Sequence, residues 1–335
     1  MLFITQKIHQ NDDDLAFAIL WVKEFIRQGL DVQVICLERR DFDDSFPVHS
    51  LGKENGVGLI GRIVNFYKYI FTLKYDRVFV HMNCEYVTLG GWYWWLRRIP
   101  TYLWYTHYTM HVHLFLSGLI CKRMFAATVQ SMPQYNNSPK KVVTGHGIDV
   151  DHWLEGVKDD LFEVRDERRL LTVHRLCRSK RLERVILALK LLPDAYTLTV
   201  YGRDVEKDYV KELYELVASE NLQTRVNFNG PVPMDELRRI YPQYRLMVNM
   251  ASETIDKTMV EAMLFGIFPV TTPGNSQAIG LPIWPDGETP EVLAKFILDE
   301  NWKSISGADL RSIVKEKHSL AALIGRMNEY IKSGK

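Results

Sequence analysis

Apolar and polar positions alternate along this chain in two successive rounds of strand and helix. LFIT (2–5) reads as a buried strand, and DLAFAILWVKEFIRQG (14–29) as an amphipathic helix ended by Gly29. VQVICLE (32–38), RVFVHM (77–82), TYLWYTH (101–107), ATVQS (127–131) and KVVTGH (141–146) read as further strands, with helical stretches between several of them. Residues 154–168, LEGVKDDLFEVRDER, are polar and lack a core period, which predicts a linker. A second alternation follows. LLTVHRL (170–176), TLTVYG (197–202) and RVNFNGPVPMDELRRIY (225–241) each open on a strand, and TMVEAMLFG (258–266) reads as a helix before the buried strand FPVTT (268–272). The chain ends in a helical tail, SLAALIGRMNEYIKSGK. Strands this rich in Val, Ile and aromatics, alternating with helices, predict parallel sheets covered on both faces, an α/β fold of two doubly wound domains. No repeat at solenoid spacing is present.

Composition changes this picture little. The 335 residues carry a net charge of +1 and suit two domains. No apolar run reaches the roughly 18 residues that span a bilayer. The opening MLFITQKIHQ lacks a charged stretch, an apolar core and a cleavage site, so a cytoplasmic protein is expected. Cys36, Cys84, Cys121 and Cys177 are scattered through apolar runs and read as core thiols, neither a disulfide framework nor a zinc site.

Candidate chemistry concentrates in the second half. Glu253 and Glu261 stand eight positions apart in SETIDKTMVEAMLFG, the first in a turn and the second in the helix that follows. Carboxylates beside a helix N-terminus suit a ligand that carries both hydroxyls and phosphate; two solvated acids at a helix start are the alternative. Upstream, Arg175 ends a strand and Lys180 follows where a helix opens, a pair of cations suited to a diphosphate. The strand–Gly turns at Gly202 and at Gly230, with Val232 just beyond, come next, and VVTGHGIDVDHW (142–153) stands before all of them.

This order of strand, Arg–x4–Lys, two strand–Gly turns and Glu–x7–Glu resembles the donor half of a GT-B glycosyltransferase, most closely glycosyltransferase family 4. The resemblance is strong over 142–272 and weaker over 1–141. It implies two Rossmann-like domains facing an interdomain cleft: 1–153 for the acceptor, a linker over 154–168, 169–315 for the nucleotide-sugar donor, and a helix over 316–335 that packs back on the first domain. It further implies retaining transfer of a sugar from a nucleotide diphosphate sugar to a hydroxyl of a saccharide or lipid-linked acceptor. Arg175, Lys180, Lys257 and Thr258 would meet the diphosphate, Glu261 the ribose, and Gly202, Gly230 and Val232 the vicinity of the base. His107, at the end of the strand YLWYTH, matches the family's histidine beneath the donor sugar, where Glu253 would also bind. Asp13, His81 and Glu85, on loops expected after strands of the first half, are acceptor-side candidates. His111 and His113, two apart on a helix, point about 200° from each other and make a poor metal pair.

Three departures from the family pattern stand out. Between Thr5 and Gly29 there is no glycine where adjacent glycines are usual. Thr254, Ile255 and Asp256 fill a glycine–aromatic–glycine position, and Arg181 follows Lys180 where glycine is usual. Asp256 adds a negative charge near the expected phosphates unless it caps the helix. Asp12-Asp13-Asp14 and Asp149-Val150-Asp151 contain Asp–x–Asp, a spacing that holds a divalent cation in another glycosyltransferase fold. Both read here as caps and turns, and with two cations already facing the diphosphate no metal and no cofactor is expected. A GT-B nucleotide-sugar epimerase and a non-catalytic glycan- or nucleotide-binding module remain as alternatives.

Charge is uneven. Residues 53–141 hold 11 Lys/Arg against three acids, a local balance of +8 that leaves −7 for the rest, and they include NFYKYIF and GGWYWWLRR. Basic and aromatic surface together suits an anionic membrane face, where the protein would be peripheral, or a lipid-phosphate acceptor, and equally sugar stacking or nucleic acid. Arg62, Lys68 and Lys74 would not share one helical stripe, so an aromatic core with solvated cations is the plainer reading. No nucleic-acid partner is expected.

Overall fold

The computed structural model describes residues 1–10, 17–155, 165–252 and 255–333. The chain divides into two compact units, Met1–Gly147 with Leu320–Lys335, and Ile148–Ser319.

The first unit is a seven-stranded parallel sheet in the order β3-β2-β1-β4-β5-β6-β7. Its strands are β1 (Leu2–Ile8), β2 (Gln33–Arg39), β3 (Val48–Ser50), β4 (Val78–His81), β5 (Thr101–Trp104), β6 (Arg123–Ala126) and β7 (Lys141–Val143). Side chains alternate across the sheet, so successive residues serve opposite cores. Phe3, Phe79 and Phe125 face one side, where α1 (Phe17–Arg27) adds Trp21 and Phe25. Ile4, Val80 and Leu103 face the other, under three helices: α2 (Leu59–Thr72), α3 (Cys84–Leu96) and α4 (Val112–Ile120). Burial on both faces is why the strands read as continuous apolar runs. The chain's last helix packs beside α1, putting Leu323, Ile324 and Met327 in the same core. Gln28 ties the two, donating to the Ala321 carbonyl at 2.9 Å and accepting from Lys332 and Asn328 at 2.6 and 2.9 Å.

The second unit holds a five-stranded parallel sheet in the order β10-β9-β8-β11-β12. Its strands are β8 (Arg169–Val173), β9 (Thr197–Tyr201), β10 (Val226–Phe228), β11 (Leu246–Asn249) and β12 (Phe268–Thr271). The unit opens on α5 (Val150–Leu154), and the βα alternation supplies α6 (Leu182–Leu191), α7 (Lys207–Ser219), α8 (Met234–Ile240) and α9 (Lys257–Leu264). After β12 come α10 (Pro273–Ile279), α11 (Pro290–Leu298) and α12 (Gly307–Ile313); α13 (Leu320–Ser333) is the helix that returns to the first unit.

Several boundaries differ from the sequence reading. The first unit stops at Gly147 because Ile148 and Trp153 belong to the second core, Trp153 packing on Tyr241 and Phe265 at 5.7 and 6.1 Å. The strand expected over 127–131 lies at Arg123–Ala126, whose MFA run is fully buried, while Ser131 folds back on Thr128 in a turn. The strand expected over 101–107 ends at Trp104. β3 has no counterpart in the sequence pattern: it is three half-buried residues at the sheet edge. Most of the expected linker lies outside the described residues. All four cysteines are free and buried, and burial pushes the thiols of Cys36 and Cys84 up to about 12.

Candidate active site

In each sheet the strand order reverses beside the first strand of its unit, between β1 and β4 and between β8 and β11. Doubly wound sheets bind ligands outside the carboxyl ends of strands at such points. At the second reversal β8 delivers His174 and Arg175, and β11 delivers Asn249. A 3₁₀ turn over Arg178–Lys180 then brings Lys180 to Asp256, the residue before α9.

Lys180 is 8% exposed and forms an ion pair with Asp256, whose second carboxylate oxygen accepts from Asn249 Nδ2 at 2.8 Å. Asn249 is itself held by the Ala251 N–H, which donates to its Oδ1 at 3.0 Å. Asp256 is the residue before α9, yet its side chain does not cap that helix. Capping, the alternative reading of Asp256, gives way to the pairing with Lys180. Thr258 Oγ1 donates to the Val173 carbonyl at 2.8 Å, pinning the first turn of α9 to the end of β8. Arg175 is exposed and has no ion-pair partner among the described residues. One cation of the pair is thus buried and neutralised, the other open.

Arg181 shows why glycine suits its position. It adopts φ +50°, ψ +44°, the left-handed region, which disfavours a residue with a Cβ by about 1 kcal/mol. Its guanidinium offsets this, donating to the Met250 carbonyl at 2.7 Å and to Glu288 at 2.6 Å. Gly202 is required by packing: a Cβ there would stand 1.8 Å from the His174 carbonyl oxygen. Its N–H donates to the Gly230 carbonyl at 2.8 Å, and Gly230, at φ +71°, takes the left-handed turn that closes the β10 end. Val232 is half-buried against the second core.

Lys257 and Glu261 face each other one turn apart on α9. Burial holds the Glu261 carboxyl above the usual carboxylate range, Lys257 pulling it back and Asp256 adding to the push. The buried Tyr241 hydroxyl is the third member, raised by burial and by Glu261.

His174 is buried, and its Nδ1–H donates to the Arg175 carbonyl at 3.0 Å. Burial pulls the ring down to about 4, with Asp256 opposing and Lys180 assisting. The folded ring thus binds fewer protons than the unfolded one between about 6.5 and about 4, so its contribution is complete above that window and lost as pH falls through it. The shift corresponds to roughly 3 kcal/mol at most. Thermal unfolding of the protein and of His174→Gln at about pH 7.5 and pH 4.5 checks this: the variant should lose less stability on acidification. Equal losses would assign the acid sensitivity to other groups.

The acceptor-side candidates separate. His81, expected on a loop, ends β4 at 1% exposure. It stacks on Trp104 at 5.2 Å and meets Trp21 edge-on at 5.1 Å, its Nδ1 lying 3.5 Å from Thr5 Oγ1. It is a core ring, and a role in touching an acceptor hydroxyl does not fit this burial. Glu85, expected on that same loop, sits in the first turn of α3 and is exposed. His107 lies three residues beyond β5, exposed, its ring 5.3 Å from that of Tyr105. His111 caps α4 by accepting from the Leu114 N–H, and His113 bonds Thr88. Asp149 caps α5 through the His152 N–H at 3.1 Å. Asp13 and Glu253 lie outside the described residues.

Asn249, His174 and the Asp256–Lys180 pairing were missed from sequence. Asn249 was findable, since it ends the short apolar strand LMVN at the reversal point.

Residues 157–279 match the family model of glycosyl transferases group 1. That stretch contains Arg175, Lys180, Asn249, Asp256 and Glu261. HepE of Anabaena, solved with UDP and glucose, is similar in structure at a TM-score of 0.74, with 17% identity over 99% of each chain. Sucrose-phosphate synthase of Thermosynechococcus elongatus gives 0.71, with 16% identity over 99% of this chain and 98% of that one. The lipopolysaccharide outer core galactosyltransferase WaaB, in its apo form, gives 0.71 with 12% identity over 99% of each chain. A comparison with the curated proteins returned no match. The two parallel α/β units are those of the GT-B glycosyltransferase fold.

Proposed function

We propose that this chain transfers a hexosyl group from a nucleotide diphosphate sugar to a hydroxyl acceptor, with retention at the anomeric carbon. The observation that supports this most is the set of cations and helix terminus at the second sheet's reversal, inside the stretch that matches glycosyl transferases group 1. UDP-glucose bound to HepE of Anabaena supports the donor class.

In this reading Arg175 and Lys180 stabilise the charge that grows on the leaving diphosphate, with the backbone N–H groups of Lys257 and Thr258 assisting. Glu261 accepts from the ribose hydroxyls, and Gly202, Gly230 and Val232 border the base. Glu253 and His107 serve the donor sugar, Asp13 and Glu85 the acceptor side. The acceptor oxygen bonds the anomeric carbon as the carbon–phosphate oxygen bond breaks, and the acceptor proton passes to the leaving phosphate oxygen. No protein base is needed.

A thermal-shift screen of nucleoside diphosphates and their sugars tests the donor class, because ligand binding raises apparent stability by mass action. The donor selected is then incubated alone. Slow hydrolysis agrees with a transferase, interconversion of the sugar would make the protein an epimerase, and binding with no turnover toward any hydroxyl would make it a binding module. Transfer is expected to survive EDTA, since side-chain cations and a helix terminus already serve the phosphates. Complete loss restored by Mg²⁺ or Mn²⁺ would return the Asp–x–Asp segments to consideration.

The outer helical layer of the first unit supports a membrane-borne acceptor. No helix among the described residues is long and apolar enough to cross a membrane. Yet Ile60 and Val64 of α2, Trp92 and Trp95 of α3, and Phe115 and Leu119 of α4 are exposed, where surface helices normally carry polar residues. Lys68, Arg97 and Arg98 lie on the same layer, without ion-pair partners among the described residues. Apolar side chains set among unpaired cations fit an anionic bilayer surface.

A further inference from the structure

Asp256 is placed against the expectation for an anion site. A carboxylate beside a helix start that receives a diphosphate repels its own ligand, so something must justify it. Backbone conformation does not: φ −71°, ψ +131° is extended and open to every residue. Helix capping does not, since the side chain makes no cap bond. What the carboxylate does is hold Lys180. The two side chains are 10% and 15% exposed, and Asn249 at 2.8 Å fixes the second carboxylate oxygen so that the first stays on the ammonium. Three residues separated by up to 76 positions converge through the β8–β11 pairing.

We propose that Asp256 is a displaceable counter-ion: it neutralises Lys180 while the donor site is empty, and yields the ammonium to the diphosphate when the donor binds. The proposal rests on the donor-binding reading given above. A buried ammonium without a partner is strongly unfavourable, so the empty site needs this pair. The same pair weakens the grip on the nucleoside diphosphate product, because its release returns Lys180 to Asp256. Asp256 then acts on the leaving group through Lys180, as a positioning residue whose effect falls on diphosphate affinity and release.

The test is Asp256→Asn, which keeps an oxygen for Asn249 Nδ2 and removes the charge. Binding of UDP, GDP and ADP is measured by calorimetry, and unfolding is followed with and without each. The expected result has two parts that run in opposite directions. The empty variant should melt a few degrees lower, having lost Lys180's partner. Its affinity for the diphosphate the wild type selects should rise roughly tenfold, equal to about 1.4 kcal/mol, with a correspondingly larger ligand-induced stabilisation and slower release. Asp256→Gly is the second variant and should show the same gain if the asparagine form does not fold. Wild-type binding with unchanged or weakened affinity in the variants would overturn the proposal, making Asp256 a plain anchor for Lys180. Absence of diphosphate binding by the wild type would overturn the donor-site reading itself, and this proposal with it.

Discussion

Alanine at Arg175 or at Lys180 is expected to lower sugar transfer by roughly 10²–10³-fold, the usual consequence of removing one preorganised donor from developing negative charge. The two substitutions differ in what else they do. Arg175 is exposed and holds no ion-pair partner among the described residues, so its loss should leave the melting temperature unchanged and register in turnover alone. Lys180 is buried against Asp256, and its removal strands a buried carboxylate, a change that destabilises by about 3–5 kcal/mol when such pairs are broken. Lys180→Ala therefore needs a folding control, and Lys180→Ala with Asp256→Asn is the better-matched variant. If both cations serve one diphosphate, as proposed, the double loss should fall short of the product of the singles. Steady-state transfer by folded variants decides. Near-normal turnover in both would remove the diphosphate assignment and with it the reading of this reversal point as a donor site.

The double alternation was legible in the sequence because parallel strands buried on both faces have no polar side to show. MFA of β6 and LMVN of β11 illustrate the limit: four-residue strands are too short for a period, so the pattern puts β6 four residues late and gives β11 no signal of its own. Of the candidate site, the sequence carries only spacing. Arg175, Lys180 and Glu261 were placed by their positions after strands and at helix starts, which local pattern carries. Their partners were not. Asp256 was recognised as an awkward charge, but its pairing with Lys180 crosses 76 residues and depends on β8 lying beside β11. His81 failed for the opposite reason: VHM looked like the end of a strand running into a loop, whereas the ring is stacked within an aromatic layer built by β1, α1 and β5. Likewise, counting cations over 53–141 suggested a basic face, but Lys53 pairs with Glu38, Arg77 with Asp76, and Lys140 donates to backbone carbonyls. What remains on the outer layer is fewer charges than the count implied and more exposed aromatic surface.

That surface sets the expectation for membranes. The protein should co-sediment with anionic vesicles, and Trp92→Ser with Trp95→Ser should abolish this more completely than Arg97→Ser with Arg98→Ser. The magnitudes decide the order. Trp92 and Trp95 are 53% and 76% exposed, so burying about 100 Å² from each at about 25 cal/mol/Å² is about 5 kcal/mol for the pair. Even half of that corresponds to a loss of roughly 10²-fold in partitioning. Two arginines near an anionic surface contribute about 1 kcal/mol each, roughly fivefold apiece. Raising salt to about 1 M shortens the screening length to about 3 Å and should strip the arginine contribution while leaving the tryptophan one, so binding should weaken with salt without vanishing. The serine pairs lie in the first unit's outer layer and should leave diphosphate binding by the second unit intact, which separates a docking defect from a folding defect. Equal indifference of the protein to anionic and neutral vesicles would reassign this layer to a protein partner or a second copy of the chain, and the acceptor would then be sought among soluble saccharides.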